Sequence, residues 1–151
     1  MIFGERYLIS WITVMEKRST VDNTMILFDR VTKTYGTGQK ALDDVSLQIE
    51  KGEFVFLVGN SGAGKTTLLE LILRETEADQ GNIVVNGIDL RQMKERQVCR
   101  YRRYIGMVFQ DFCLFPDFTV YENVAFAQRV IEADHKRMRS RVMEVLSQVG
   151  L

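Results

Sequence analysis

Eight consecutive residues, Gly59-Asn60-Ser61-Gly62-Ala63-Gly64-Lys65-Thr66, combine the residue types that phosphate binding demands in the order it demands them. A nucleoside triphosphate concentrates several negative charges, and its host must surround them with donors without crowding them. Glycines at 59, 62 and 64 leave out the side chains that would keep backbone amides from converging on phosphate oxygens. A helix starting near Lys65 adds its unpaired N-terminal amides and the positive end of its dipole. Lys65 brings a mobile positive charge for the outer two phosphates, Thr66 brings a hydroxyl for Mg²⁺, and Thr67 completes the nucleotide-binding set. The fixed positions of this pattern arise by chance in under about 1% of chains of this length. An incidental glycine-rich turn is therefore the weaker reading, and the chain is expected to hold ATP with Mg²⁺.

Such a loop works only between a strand that delivers it and a helix that leaves it. Glu53 to Val58 is a short, almost continuous apolar run, which predicts a strand buried on both faces of a mostly parallel sheet. Thr66 to Arg74 continues as a Leu-rich helix. Upstream, Ile26, Phe28 and Val31 mark a strand from Met25, and Tyr35-Gly36-Thr37-Gly38 turns the chain. Leu42, Val45, Leu47 and Ile49 then mark a second strand across Ala41 to Glu50, closed by Lys51-Gly52. Downstream, Asn86-Gly87 predicts a tight hairpin within Asp79 to Leu90. A charged helix is expected over Arg91 to Arg103 and another short buried strand over Tyr104 to Phe109, with the sole proline, Pro116, restricting Phe115 before it. Thr119 and Glu122 have capping-box spacing, and a last helix from Asp134 to Val149 places Met138, Val142, Val145, Leu146 and Val149 on one face.

The bulk composition narrows the function classes. With 151 residues there is room for one ordinary domain, and 20 Lys+Arg against 20 Asp+Glu give no global electrostatic reason to expect nucleic acid as a partner. Cys99 and Cys113 lack metal-ligand spacing, and His135 is the single histidine, so two free thiols are expected in preference to a disulfide or a metal site. The apolar patch Tyr7 to Met15 is about half the length a spanning helix needs. Charged residues on both sides of it also argue against a secretory leader, so a cytoplasmic location is expected. Residues 1–24 differ in character from the remainder of the chain and admit three readings: a start assigned upstream of a true beginning at Met25, an interfacial anchor using Trp11, or a tail without structure.

From Met25 to Leu151 the chain resembles the nucleotide-binding subunits of ABC-type ATPases, carried by Tyr35, the Glu53 to Leu69 stretch around the phosphate loop, Gly106-Met-Val-Phe-Gln-Asp-Phe, and Thr119 to Ala127. Within that family it looks most like the cell-division, FtsE-type branch. The resemblance implies an α/β fold, the P-loop NTPase domain of the ABC type. It implies that Tyr35 stacks on adenine, and that Gln110 reaches Mg²⁺ and the attacking water and shares the catalytic work with Lys65. It also implies a homodimer of complete subunits and an FtsX-like integral membrane partner, with the protein peripheral on the inner face of the cell membrane. Asp111 to Phe118 would lie where such subunits meet their membrane partner. Phe112, Leu114, Phe115 and Phe118 suit either that docking surface or the interior of a helical subdomain.

Three elements of the family's hydrolytic site do not occur in these residues: a hydrophobic strand ending in Asp-Glu, a Leu-Ser-Gly-Gly signature, and a switch histidine. Leu146-Ser147-Gln148 lacks the paired glycines, and His135 precedes the region where the switch belongs. The sequence alone therefore predicts an ABC domain interrupted within its helical subdomain. The alternative function is a non-catalytic fragment that binds nucleotide or the membrane partner. The six basic residues between Arg91 and Arg103 read as a solvated helix face, or else as a contact for anionic lipid.

Overall fold

A computed structural model of the chain describes residues 23–36, 38–131 and 134–151. The readings made for Trp11, for Tyr7 to Met15, for Thr37 and for the side chain of His135 lie outside the described residues. The chain separates into two compact units at the Ile105–Gly106 boundary.

The first unit is built on a four-stranded antiparallel sheet in the order β2-β1-β3-β4, with β1 at Thr24–Thr34, β2 at Lys40–Glu50, β3 at Gln80–Val85 and β4 at Ile88–Asp89. β1 takes in Thr24, which the sequence had grouped with the extension. Alternation puts Ile26 and Phe28 into the core, but the next buried residue is Val31, not residue 30. The register shift between Phe28 and Val31 explains the change of parity. Arg30 takes a left-handed conformation, φ 49°, and its amide donates to Ser46 Oγ at 2.9 Å, so the extra residue is absorbed as a bulge. Gly81 lies against that bulge, where a Cβ would come within 2.3 Å of Arg30 O. Asn86 and Gly87 both have positive φ, 47° and 74°, as the tight β3–β4 hairpin requires.

Helix α1, Lys65–Ile72, lays Leu68, Leu71 and Ile72 over Ile26, Phe28, Val31, Ile83 and Val85. Full burial of each such side chain contributes about 1.5–3 kcal/mol. Helix α2, Glu95–Arg102, adds Val98 and Tyr101 to the same core. α2 also closes the end of α1: the Tyr101 hydroxyl donates to Ile72 O at 2.5 Å, and Arg102 donates to Leu73 O and Arg74 O at 2.8 and 3.0 Å. Of the basic stretch, Arg102 is thus committed to carbonyls that α1 cannot satisfy itself.

The two buried strands read from the sequence do not form. Residues 53–60 have no strand conformation, and Phe54, Val55, Phe56, Leu57 and Val58 are 41–80% exposed. Tyr104 to Phe109 shows only an isolated bridge at Ile105. A strand buried on both faces takes its ladder partners and covering helices from remote parts of a chain. Among the described residues the sheet is completed by β1–β4, whose partners are supplied by sequence neighbours and one return strand.

In the second unit α3, Val120–Val130, and α4, His135–Gln148, pack through Ala125, Met138, Val142 and Leu146. Thr119 Oγ1 accepts the Glu122 amide at 3.2 Å while Glu122 accepts the Thr119 amide at 2.7 Å, the reciprocal cap read from the sequence. Val149 and Val145, expected on the buried face of α4, lie outside it, Val149 at 68% exposure. One partner helix covers only the stripe Met138, Val142, Leu146, spaced four residues apart.

Candidate nucleotide site

The phosphate loop joins residues 53–60 to α1. Gly62 and Gly64 have φ of 80° and 82°, a conformation that costs other residues strain. At Gly64 there is a second reason: a Cβ would fall 2.3 Å from Ala41 O and 2.8 Å from Leu42 Cδ2, so the loop can lie against β2 only with glycine there. Asn60 and Ala63 close a turn through Ala63 N–H to Asn60 O at 3.1 Å. Gly64 then caps α1 with no side-chain cap hydrogen bond, leaving the helix N-terminus without a competing side-chain acceptor. Lys65 is half-buried, and its Nζ donates to Gly59 O and Asn60 O at 2.8 and 2.7 Å, which draws the positive charge back onto the loop. Thr66 is exposed, whereas Thr67 is buried. This donor set suits a polyphosphate: glycine-freed amides, a helix N-terminus, an ammonium, and an exposed hydroxyl able to ligate Mg²⁺.

Tyr35 follows directly on β1, and two carboxylates shape its surroundings. Asp79 Oδ2 accepts the Thr34 amide at 2.6 Å, and Lys33 Nζ lies 3.5 Å from Asp79 Oδ1. The Thr34 amide, with Lys33, holds the Asp79 carboxyl below its ordinary pKa. Tyr35 Oη donates to Glu70 Oε2 at 2.7 Å and lies 3.3 Å from Thr67 Oγ1. Thr67 pulls the Tyr35 pKa down, but hydrogen bonding and charge from Glu70, with desolvation, outweigh it and hold the phenol above its ordinary value. Tyr35 is 41% exposed, with Lys33 Nζ 5.7 Å from its ring centroid. Tyr35, Thr67 and the phosphate loop are thus gathered in the first unit.

Gln110 belongs to the second unit, in the exposed turn that runs through Cys113. Phe112 and Cys113 there both have left-handed φ, 55° and 46°. Phe112 and Leu114 are 68% and 67% exposed, while Phe115, Phe118 and Phe126 form a ring cluster with Phe115 centroid separations of 5.0 and 4.7 Å. Asn123 fixes this loop to α3: its side chain accepts the Phe115 amide and donates to the carbonyls of Phe115, Phe118 and Thr119. Cys99 and Cys113 are free thiols, both exposed. Among the described residues no group of three or more His, Cys, Asp or Glu side chains is placed to hold a metal, and no helix is long and apolar enough to cross a membrane. Sequence reasoning missed Glu70 and Asp79. Glu70 had one visible signal, its position three residues after Thr67 on the same helix face.

A protein-family model described as "ABC transporter" matches residues 42–151. The cell division ATP-binding protein FtsE of Bacillus subtilis is 48% identical over 127 residues, covering 84% of this chain and 56% of that protein. The protein of the same name from Escherichia coli is 44% identical over 127 residues, covering 84% and 57%. The chain thus spans a little over half the length of these relatives. Among solved structures, a dimeric bacterial ABC transporter cassette matches with a TM-score of 0.74 at 34% identity, covering 84% of this chain and 58% of that one. A dimeric ATP-binding cassette in a post-hydrolysis state, bound to ADP and Pi, matches with a TM-score of 0.71 at 31% identity, with the same coverage.

Proposed function

The chain belongs to the ABC transporter family, and from that premise we propose that it is the ATP-binding part of an FtsE-type subunit that couples ATP binding and hydrolysis to an FtsX-like membrane partner in cell division. The phosphate loop carries this reading: Gly62 and Gly64 in left-handed conformations, an α1 N-terminus without a side-chain cap, and the Lys65 ammonium drawn onto the loop. The amides of Gly59 to Thr66 and Lys65 bind the phosphates, Thr66 supplies a hydroxyl for Mg²⁺ and Tyr35 meets the base, while the resemblance to the family assigns Gln110 to the metal and the attacking water. Bound Mg²⁺ would neutralise charge on the outer phosphates. Two such subunits pair around nucleotide, a reading supported by the dimeric cassettes of similar fold, one of them bound to ADP and Pi. The exposed Phe112 and Leu114 beside the Phe115 cluster are the docking surface for the membrane partner, which would keep the subunit on the inner face of the membrane.

A second reading is that these 151 residues by themselves bind nucleotide without turning it over. The exposed run Phe54 to Val58 favours it, because the strand that should deliver the phosphate loop is unformed. Calorimetric titration with Mg·ATP decides whether the loop binds at all. Lys65→Ala should weaken binding at least about tenfold through loss of its charge-assisted contacts, and equal affinity in that variant would sink both readings. Mg²⁺-dependent phosphate release that appears once a segment carrying the Asp-Glu strand and the signature is joined to these residues selects the first, and nucleotide binding with no release even then selects the second. The intact mass of the endogenous protein then shows whether more polypeptide than the 17.5 kDa of this sequence takes part.

A further inference from the structure

We propose that Glu70, together with Thr67, is a positioning residue for Tyr35, so that the helix which begins at the phosphate loop also fixes the aromatic ring that meets the base. The inference rests on the reading of Tyr35 as the base-stacking residue.

Three observations carry it. Tyr35 follows directly on a strand whose end is anchored through the Thr34 amide, and with the residue 41% exposed core packing alone does not hold it. Its hydroxyl instead reaches α1, donating to Glu70 Oε2 at 2.7 Å and lying 3.3 Å from Thr67 Oγ1. Thr67 and Glu70 are one helical turn apart, so both face the same way. Thr67 also follows Thr66 directly, and any shift of α1 would move the phosphate-binding amides and the ring together. Lys33 braces the ring from a fixed position, since its Nζ donates to Glu77 O at 2.7 Å as well as pairing with Asp79. A ring held in this way has lost its rotamer freedom before a base arrives, and preorganisation of that kind strengthens binding. It also accounts for tyrosine at this position, because phenylalanine would stack equally well but could not reach Glu70.

The test separates the base from the phosphates. The full chain and its Tyr35→Phe, Tyr35→Ala, Glu70→Ala and Glu70→Gln variants are titrated with Mg·ATP and with Mg·tripolyphosphate, which has no base. Tyr35→Phe and Glu70→Ala should each weaken ATP binding about threefold to tenfold, the range for one lost hydrogen bond, and leave tripolyphosphate binding unchanged. Glu70→Gln, which keeps an acceptor, should stay within about twofold of the parent. If Tyr35→Ala loses ATP affinity while Tyr35→Phe and Glu70→Ala do not, stacking stands and positioning is overturned. If Tyr35→Ala binds ATP as the parent does, the stacking role fails and positioning falls with it. A Glu70→Ala variant that loses tripolyphosphate as much as ATP assigns Glu70 to the stability of α1 and overturns the proposal.

Discussion

β1 and residues 53–58 are both short apolar stretches that the sequence reads as strands, yet one buries Ile26, Phe28 and Val31 almost completely while the other leaves Phe56 at 63% and Val58 at 80% exposure. Hydrophobicity does not separate them; the origin of their partners does. β1 pairs with β2, which comes after it across a short turn, and with β3, whose hairpin closes on its own Asn-Gly signal. Residues 53–58 carry the pattern of a parallel strand, which waits for a crossover connection and covering layers on both sides. A strand is a property of a pair, and a run without its pair stays an apolar segment in search of one.

The sharpest way to break this contrast is to truncate one aromatic from each stretch. Phe28→Ala should destabilise the fold by about 3–5 kcal/mol through lost burial and a cavity. Phe56→Ala should fall within about 0.5 kcal/mol of the parent. Both are read as urea midpoints at constant slope. A comparable loss for Phe56→Ala would show that the run is packed in solution, and the contrast would collapse.

A somewhat smaller effect tests whether β1 owes its stability to its irregularity as well as to its pairing. Gly81→Ala brings a Cβ to 2.3 Å from Arg30 O and 2.5 Å from Asp29 O at a φ of 84°. It should cost about 2–3 kcal/mol, since neither backbone atom can swing aside. A neutral result would mean the bulge relaxes freely and does not set the register.

The smallest effect concerns a local signal in the other unit. Thr119→Ala removes the hydroxyl of the α3 cap and should cost about 1 kcal/mol. The same cap supplies a pH signature. The Thr119 amide and hydroxyl hold the Glu122 carboxyl below its ordinary pKa. Its contribution is therefore complete above the ordinary glutamate value and is lost as pH falls through the lowered folded value. In a helicity-against-pH titration, Thr119→Ala should shrink that acid limb, and an unchanged limb would show that the hydroxyl plays no part in it.

Where a signal is complete within a few residues, the sequence by itself determined the outcome. The glycine-lysine-threonine loop entering α1, the Asn86-Gly87 hairpin and the Thr119–Glu122 cap were all legible, because backbone conformation and short-range hydrogen bonds settle them. So was family membership, which rests on the order of such signals. Only the tertiary structure decided the rest. It alone showed that Arg30 bulges out and hands its core position to Val31, and that Arg102 closes the end of α1. It alone joined the Tyr35 hydroxyl to Glu70, 35 residues away in sequence. The fate of residues 53–58 belongs with these. Each depends on a partner brought from a distance, and no pattern of periodicity in one segment records which distant group will satisfy its hydrogen bonds or cover its apolar face.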